Sequence, residues 1–127
     1  MSDLDETSDA AEGRKTHWVD VGSIKDLERQ RSVVVENERE DVAVFWHNGK
    51  PCALANICIH SDRELARGMI FKDRVVCPGH QWAFDLQTGH CAERERTQPV
   101  YQSRVVGDRV EVDLAAPVNE AELDGVE

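Results

Sequence analysis

Residues 58–89 read Cys-Ile-His-Ser-Asp-Arg-Glu-Leu-Ala-Arg-Gly-Met-Ile-Phe-Lys-Asp-Arg-Val-Val-Cys-Pro-Gly-His-Gln-Trp-Ala-Phe-Asp-Leu-Gln-Thr-Gly. Two clusters stand out, Cys58-Ile59-His60 and Cys77-Pro78-Gly79-His80, with sixteen residues between His60 and Cys77. Each supplies one sulfur and one imidazole. Metals are bound by thiolate and by neutral imidazole, so these four side chains form a candidate ligand set. Zinc can use two cysteines and two histidines, but its common patterns place Cys with Cys and His with His. A Cys–His nucleophile pair needs one of each and leaves the second pair without a role. The third reading is an iron–sulfur centre in which two histidines replace two cysteines on one iron. Iron analysis with a visible spectrum separates the three.

The two loops resemble those of the Rieske ferredoxin family. That family's first loop tends to read C-x-H-x-G-x-x-L-x-x-G, and Leu65 and Gly68 fall in register with its last two signposts. Its second loop tends to read C-P-x-H-x-x-x-F-x-x-x-T-G, and Pro78, Phe84, Thr88 and Gly89 all match. The likeness covers roughly residues 16 to 114. It implies an all-β fold: an antiparallel β-sandwich base with a small β subdomain, about residues 57–90, carrying the loops at its tip. It also implies one [2Fe–2S] cluster, with Cys58 and Cys77 on one iron and His60 and His80 on the other. The histidine-bound iron takes the electron more easily, which raises the potential from ~−400 mV to between ~−150 and ~+300 mV.

Absences place the expected potential low in that range. High-potential Rieske proteins of respiratory complexes carry an extra cysteine in each loop, and those places here are Arg63 and Gly79. A serine that donates to a cluster sulfur in them is replaced by Trp82. Gly68 and Gly79 are expected to bring backbone N–H groups to the inorganic sulfurs.

The expected function is single-electron transfer from a flavin-dependent NAD(P)H reductase to a terminal oxygenase, such as an aromatic-ring-hydroxylating dioxygenase. The chain is read as a component of an oxidoreductase system rather than a catalyst by itself. Only His17, His47 and His90 remain for a second iron, and no G-x-G-x-x-G fingerprint for a dinucleotide is present. The small subunit of NAD(P)H-dependent assimilatory nitrite reductase shares the same domain and is the alternative. A redox or iron sensor is the third reading. The segment Pro99–Leu114 looks more like the dioxygenase component. A free carrier is expected to be monomeric.

The length of 127 residues suits one domain. No run approaches the ~18 apolar residues of a membrane span, and the acidic start Met1-Ser2-Asp3-Leu4-Asp5-Glu6 is the reverse of a secretory signal. A cytoplasmic protein is the expectation. Of the net charge of −10, residues 1–15 carry −3 and residues 116–127 carry −4. Both segments are read as solvated, disordered acidic tails around a domain at 16–115. The charge sign disfavours nucleic acid as a partner. Cys52 and Cys91 are read as plain thiols, and the three remaining histidines as surface or turn residues. Trp82 and Phe84 are expected to pack beneath the cluster. The charged run Ser61-Asp62-Arg63-Glu64, extended by Arg67, is read as a loop rim that is either simply solvated or a partner's docking code.

Strands are expected at 18–21, 31–36, 42–46, 51–57, 69–71, 74–77, 82–86, 100–106 and 109–114. Asn48-Gly49 marks a tight hairpin. Ser23, with Asp26 three residues on, marks the start of a short helix through Gln30.

Overall fold

The computed structural model describes residues 16–59, 62–78 and 82–119. The strands are β1 (Trp18–Ser23), β2 (Ser32–Val35), β3 (Val42–His47), β4 (Lys50–Ala55), β5 (Met69–Phe71), β6 (Arg74–Val76), β7 (Ala83–Asp85), β8 (His90–Cys91), β9 (Arg96–Thr97), β10 (Val100–Tyr101), β11 (Ser103–Val106) and β12 (Arg109–Asp113). Among the described residues, one helix, α1 (Ile24–Gln30), and one 3₁₀ turn (Leu65–Arg67) complete the order. Every strand pairing is antiparallel.

The β3–β4 hairpin organises the molecule. Val42-Ala43-Val44-Phe45 and Cys52-Ala53-Leu54-Ala55 are buried along their whole length, so these strands read as continuous apolar runs rather than alternating ones. Asn48 and Gly49 join them with positive φ at both positions, 54° and 78°, the turn whose twist suits flanking strands. Successive side chains leave opposite faces. Ala43, Phe45, Cys52 and Leu54 enter one core with Leu65, Val75 and Phe84. Val42, Val44, Ala53 and Ala55 enter another with Leu27, Tyr101, Val110 and Val112.

The sheet β10-β4-β3-β2 is therefore the middle layer. The sheet β1-β12-β11 covers one face and the β5-β6-β7 sheet, with its loops, covers the other. The all-β sandwich expected from the sequence is present. Burying each large aliphatic side chain in these cores stabilises the fold by ~1.5–3 kcal/mol.

Helix α1 starts where the capping pattern says: Asp26 N–H donates to Ser23 Oγ at 3.1 Å. It ends at Arg31, whose N–H still donates to Leu27 O at 2.9 Å and whose φ of 72° turns the chain out of the helix.

Three local features differ from the sequence expectation. The single strand expected over 100–106 is broken at Gln102. There the chain leaves the middle sheet, where β10 pairs with β4, and joins β12 through β11. Gln102 O accepts the Asp113 N–H across this step. A small hairpin, β8–β9, occupies a stretch expected to hold no strand. Within residues 116–119, expected in a solvated tail, Pro117 and Asn119 are buried while Val118 is half exposed. Val118 N–H donates to Val100 O at 2.8 Å, and Asn119 is 9% exposed. No helix among the described residues is long and apolar enough to cross a membrane.

Candidate metal centre

Both ligand loops are bounded by an antiparallel pair, an isolated bridge in the first and the last rung of the β6–β7 ladder in the second. Ile57 bridges Glu64 in the first, and Val76 pairs with Ala83 in the second. One step further out, Cys58 N–H donates to Arg63 O at 2.9 Å, and Cys77 N–H donates to Trp82 O at 2.7 Å. Loops 58–63 and 77–82 are thus closed by the same hydrogen bond, and each opens on its cysteine. The C-x-H and C-x-x-H spacings put the histidine at the third position of one loop and the fourth of the other.

Cys58 (2% exposed) and Cys77 (0%) belong to one apolar cluster with Leu65, Val75, Phe84 and Cys91. The structure therefore brings together two of the four predicted ligands. His60 and His80 lie outside the described residues.

The first loop is braced by buried carboxamides. Asn56 (2% exposed) accepts from Ala66 N–H through Oδ1 at 3.0 Å and donates to Glu64 Oε1 at 3.1 Å. Its carbonyl accepts from Leu65 N–H and its own N–H donates to Asp41 O. Gln98 is fully buried. Its Nε2 donates to Ala55 O and Ile57 O, both at 2.8 Å, and its Oε1 accepts from Ile59 N–H at 3.0 Å. Asn119 lies behind it, donating to Gln98 O at 3.1 Å and Thr88 O at 3.3 Å and accepting from Val100 N–H at 3.0 Å. Sequence reasoning missed all three, because a single amide carries no motif or period.

The second loop rests on rings. Phe84 is fully buried and Trp82, half-buried, packs against the same core, with ring centroids 6.2 Å apart. Arg94 covers the Trp82 ring at 5.1 Å. Arg74 holds that turn from the other side through Glu93 at 3.1 Å, and the Glu93 carboxyl is held below its usual range by a backbone hydrogen bond and by Arg74.

Gly68 has a different task from the one expected. Its N–H donates to Leu65 O at 2.9 Å, so that donor is committed within the 3₁₀ turn. A Cβ there would meet Val76 O at 2.1 Å, and glycine is required because the turn crosses β6 at backbone contact. Gly89, at φ 76°, plays the same part against Gln98 O, which a Cβ would meet at 2.2 Å. Gly79 lies outside the described residues.

Cys52 and Cys91 are buried, and burial pushes the Cys52 thiol up to about 11. His47 is more than a turn residue: Nε2 lies 2.8 Å from Asp73 Oδ1, joining the base hairpin to the β5–β6 turn. His90 Nδ1 lies 3.2 Å from Thr97 Oγ1 across β8–β9. On the expected charged rim, Asp62 and Arg63 are exposed, while Glu64 is tied inward to Asn56 and lies 3.6 Å from Arg67.

A buried thiolate without compensating charge is costly in such an apolar setting, and a bound metal supplies that charge. Two buried cysteines, each at the mouth of an identically closed loop, fit a metal group that both loops grip. An all-β fold with two such loops, each opening on a buried cysteine, defines a class of metal-cluster domain. The pattern describing the Rieske [2Fe-2S] domain matches residues 17–110, and the chain belongs to that family. Its cofactor is accordingly one Rieske-type [2Fe–2S] cluster.

The chain is similar to several known proteins. The ferredoxin component of the naphthalene 1,2-dioxygenase system of Pseudomonas aeruginosa is 27% identical over 77% of this chain and 96% of its own. A putative NADH-dependent nitrite reductase small subunit from Mycobacterium tuberculosis superposes with a TM-score of 0.73 at 26% identity, covering 80% of this chain and 98% of its own. A chain in the complex of reduced oxygenase and oxidized ferredoxin in carbazole 1,9a-dioxygenase shares the fold, with a TM-score of 0.70 at 22% identity over 80% of this chain and 96% of its own.

Proposed function

We propose that this protein carries single electrons from a flavin-dependent NAD(P)H reductase to a terminal oxygenase of the ring-hydroxylating kind, in the cytoplasm. The observation that carries the reading is the pair of equal loops, each opening on a buried cysteine. Relatives named as ferredoxin components of dioxygenase systems match along nearly their whole length. We assign Cys58 and Cys77 to one iron and His60 and His80 to the other. When bound, the cluster supplies a one-electron couple whose potential is raised by nitrogen ligation.

The chain's own residues do the rest. The loop-closing hydrogen bonds fix where each cysteine leaves the sheet. Phe84 and Leu65 exclude water from beneath the thiols. Asn56 and Gln98 hold the first loop against the middle sheet. A rigid mount of this kind lowers the reorganisation that accompanies electron gain.

The test is turnover. With a ring-hydroxylating oxygenase, its reductase and NAD(P)H, product formation should depend on this protein and stop when Cys77 is replaced by serine. Absence of turnover together with tight co-purification with a nitrite reductase large subunit would favour the second reading. That reading draws on the M. tuberculosis small subunit, whose likeness in fold is equally full.

A further inference from the structure

Gln98 stands outside the two ligand loops, yet it is attached to the supports of both. Its main chain belongs to the segment that follows the second loop. Gln98 N–H donates to Gly89 O at 2.7 Å, and Gly89 N–H in turn donates to Asp85 O at 2.8 Å, at the end of β7. Gly89 packs so closely on Gln98 O that no side chain fits between them. Its side chain belongs to the first loop, with three hydrogen bonds reaching Ala55 O, Ile57 O and Ile59 N–H. These three residues flank Cys58, and Ile59 lies directly between Cys58 and His60. Every hydrogen-bonding group of the carboxamide that these contacts use is turned to the first loop, in a site with no exposure to water.

We infer that Gln98 is a positioning residue for the cluster: it fixes the first ligand loop relative to the second, and Asn119 acts through it by holding its carbonyl. The inference rests on the ligand assignment proposed above. Three observations support it together. The side chain bonds both flanks of Cys58. The main chain is stapled to the β7–β8 turn. Asn119, beyond residues 17–110 matched by the family pattern, ties Thr88 O, Gln98 O and Val100 N–H into one knot. A buried amide with all its partners met specifies one geometry, whereas a half-satisfied one is costly. Ligand geometry and hydrogen bonding around the cluster in turn set its potential.

The test uses the full chain with its cluster. Gln98→Met keeps length and volume but removes all three hydrogen bonds. The expected result is folded protein that still binds iron, whose reduced-state paramagnetic resonance spectrum is broadened. Its redox equilibrium should shift at least tenfold, about 59 mV for one electron. Amide exchange over residues 55–59 should rise. Asn119→Ala should move the same readouts in the same direction by a smaller amount. Should Gln98→Met fail to accumulate, Asn119→Ala and amide exchange of the unaltered protein decide: Ile59 N–H should be among the slowest to exchange. Unaltered spectrum and potential in a loaded variant would overturn the inference while leaving the ligand assignment intact. A wild-type protein without a cluster would instead overturn the assignment itself.

Discussion

The two ligand loops share a length and a closing hydrogen bond but are held by different physics. Loop 58–63 is framed by buried carboxamides, Asn56 on one side and Gln98 on the other. Loop 77–82 is the turn of the β6–β7 hairpin and rests on rings, Trp82 tilted at 40° against Phe84 and covered by Arg94. Hydrogen bonds are directional and apolar contacts are not. The first loop therefore gains a specified geometry from a few atoms, and the second gains stability from area. Damage should follow the same division: apolar truncation near the second loop costs stability, and amide loss near the first costs precision.

The largest expected effect comes from Phe84→Ala. It empties a fully buried site shared by Leu65, Val75 and Cys77 and should cost ~3–5 kcal/mol in denaturant unfolding, with the cluster lost alongside. A cost below ~1 kcal/mol would show that the second loop does not depend on this ring. Asn56→Ala comes next. It strands the half-buried Ala66 N–H, a penalty at the lower end of ~1–3 kcal/mol, and should disturb the resonance spectrum more per unit of stability lost than Phe84→Ala does. If the two variants disturb the spectrum in proportion to stability, the distinction between the loops fails.

Alkaline titration probes β4, which delivers the chain to the first loop. Burial raises the Cys52 thiol from 9.0 to about 11, so the folded state holds this proton more tightly than the unfolded chain. Its contribution to stability is complete below pH 9 and is lost as the pH rises from 9 to about 11. Comparing unfolding of the wild type with Cys52→Ala across that range should show a steeper loss of stability in the wild type. The smallest effect belongs to Arg94→Ala. Its exposed cation over Trp82 is worth ~0.5–1 kcal/mol, so stability should barely move, while Trp82 fluorescence should respond.

Much of this architecture is legible in the sequence where local chemistry has only one solution. Asn48-Gly49 demands a hairpin, Ser23 and Asp26 demand a helix start, and the twin Cys–His clusters with Leu65, Phe84, Thr88 and Gly89 mark both loops. The remainder depends on distance. Gln98 meets Ala55, 43 residues away, and His47 meets Asp73, 26 away. Nothing near either residue in sequence announces the partner. Glycine's freedom to bend close to inorganic sulfur suggests a cluster role for Gly68, but its place is set by the carbonyl of Val76. The run 100–106 carries strand-forming residues throughout, and only the two-sheet stacking reveals that it must change sheets at Gln102. Val118 and Asn119 sit in an acidic, tail-like composition, yet the backbone of one and the carboxamide of the other are hydrogen-bonded to Val100 and Gln98.

The most direct measurement is pulsed paramagnetic resonance on the dithionite-reduced protein, reading nitrogen couplings to the mixed-valence iron pair. A centre held by Cys58, Cys77, His60 and His80 should give strong couplings from two histidine nitrogens on one iron, with one set lost in each of His60→Cys and His80→Cys. A reduced cluster with no histidine nitrogen coupling, or protein that contains zinc and no iron, would contradict it.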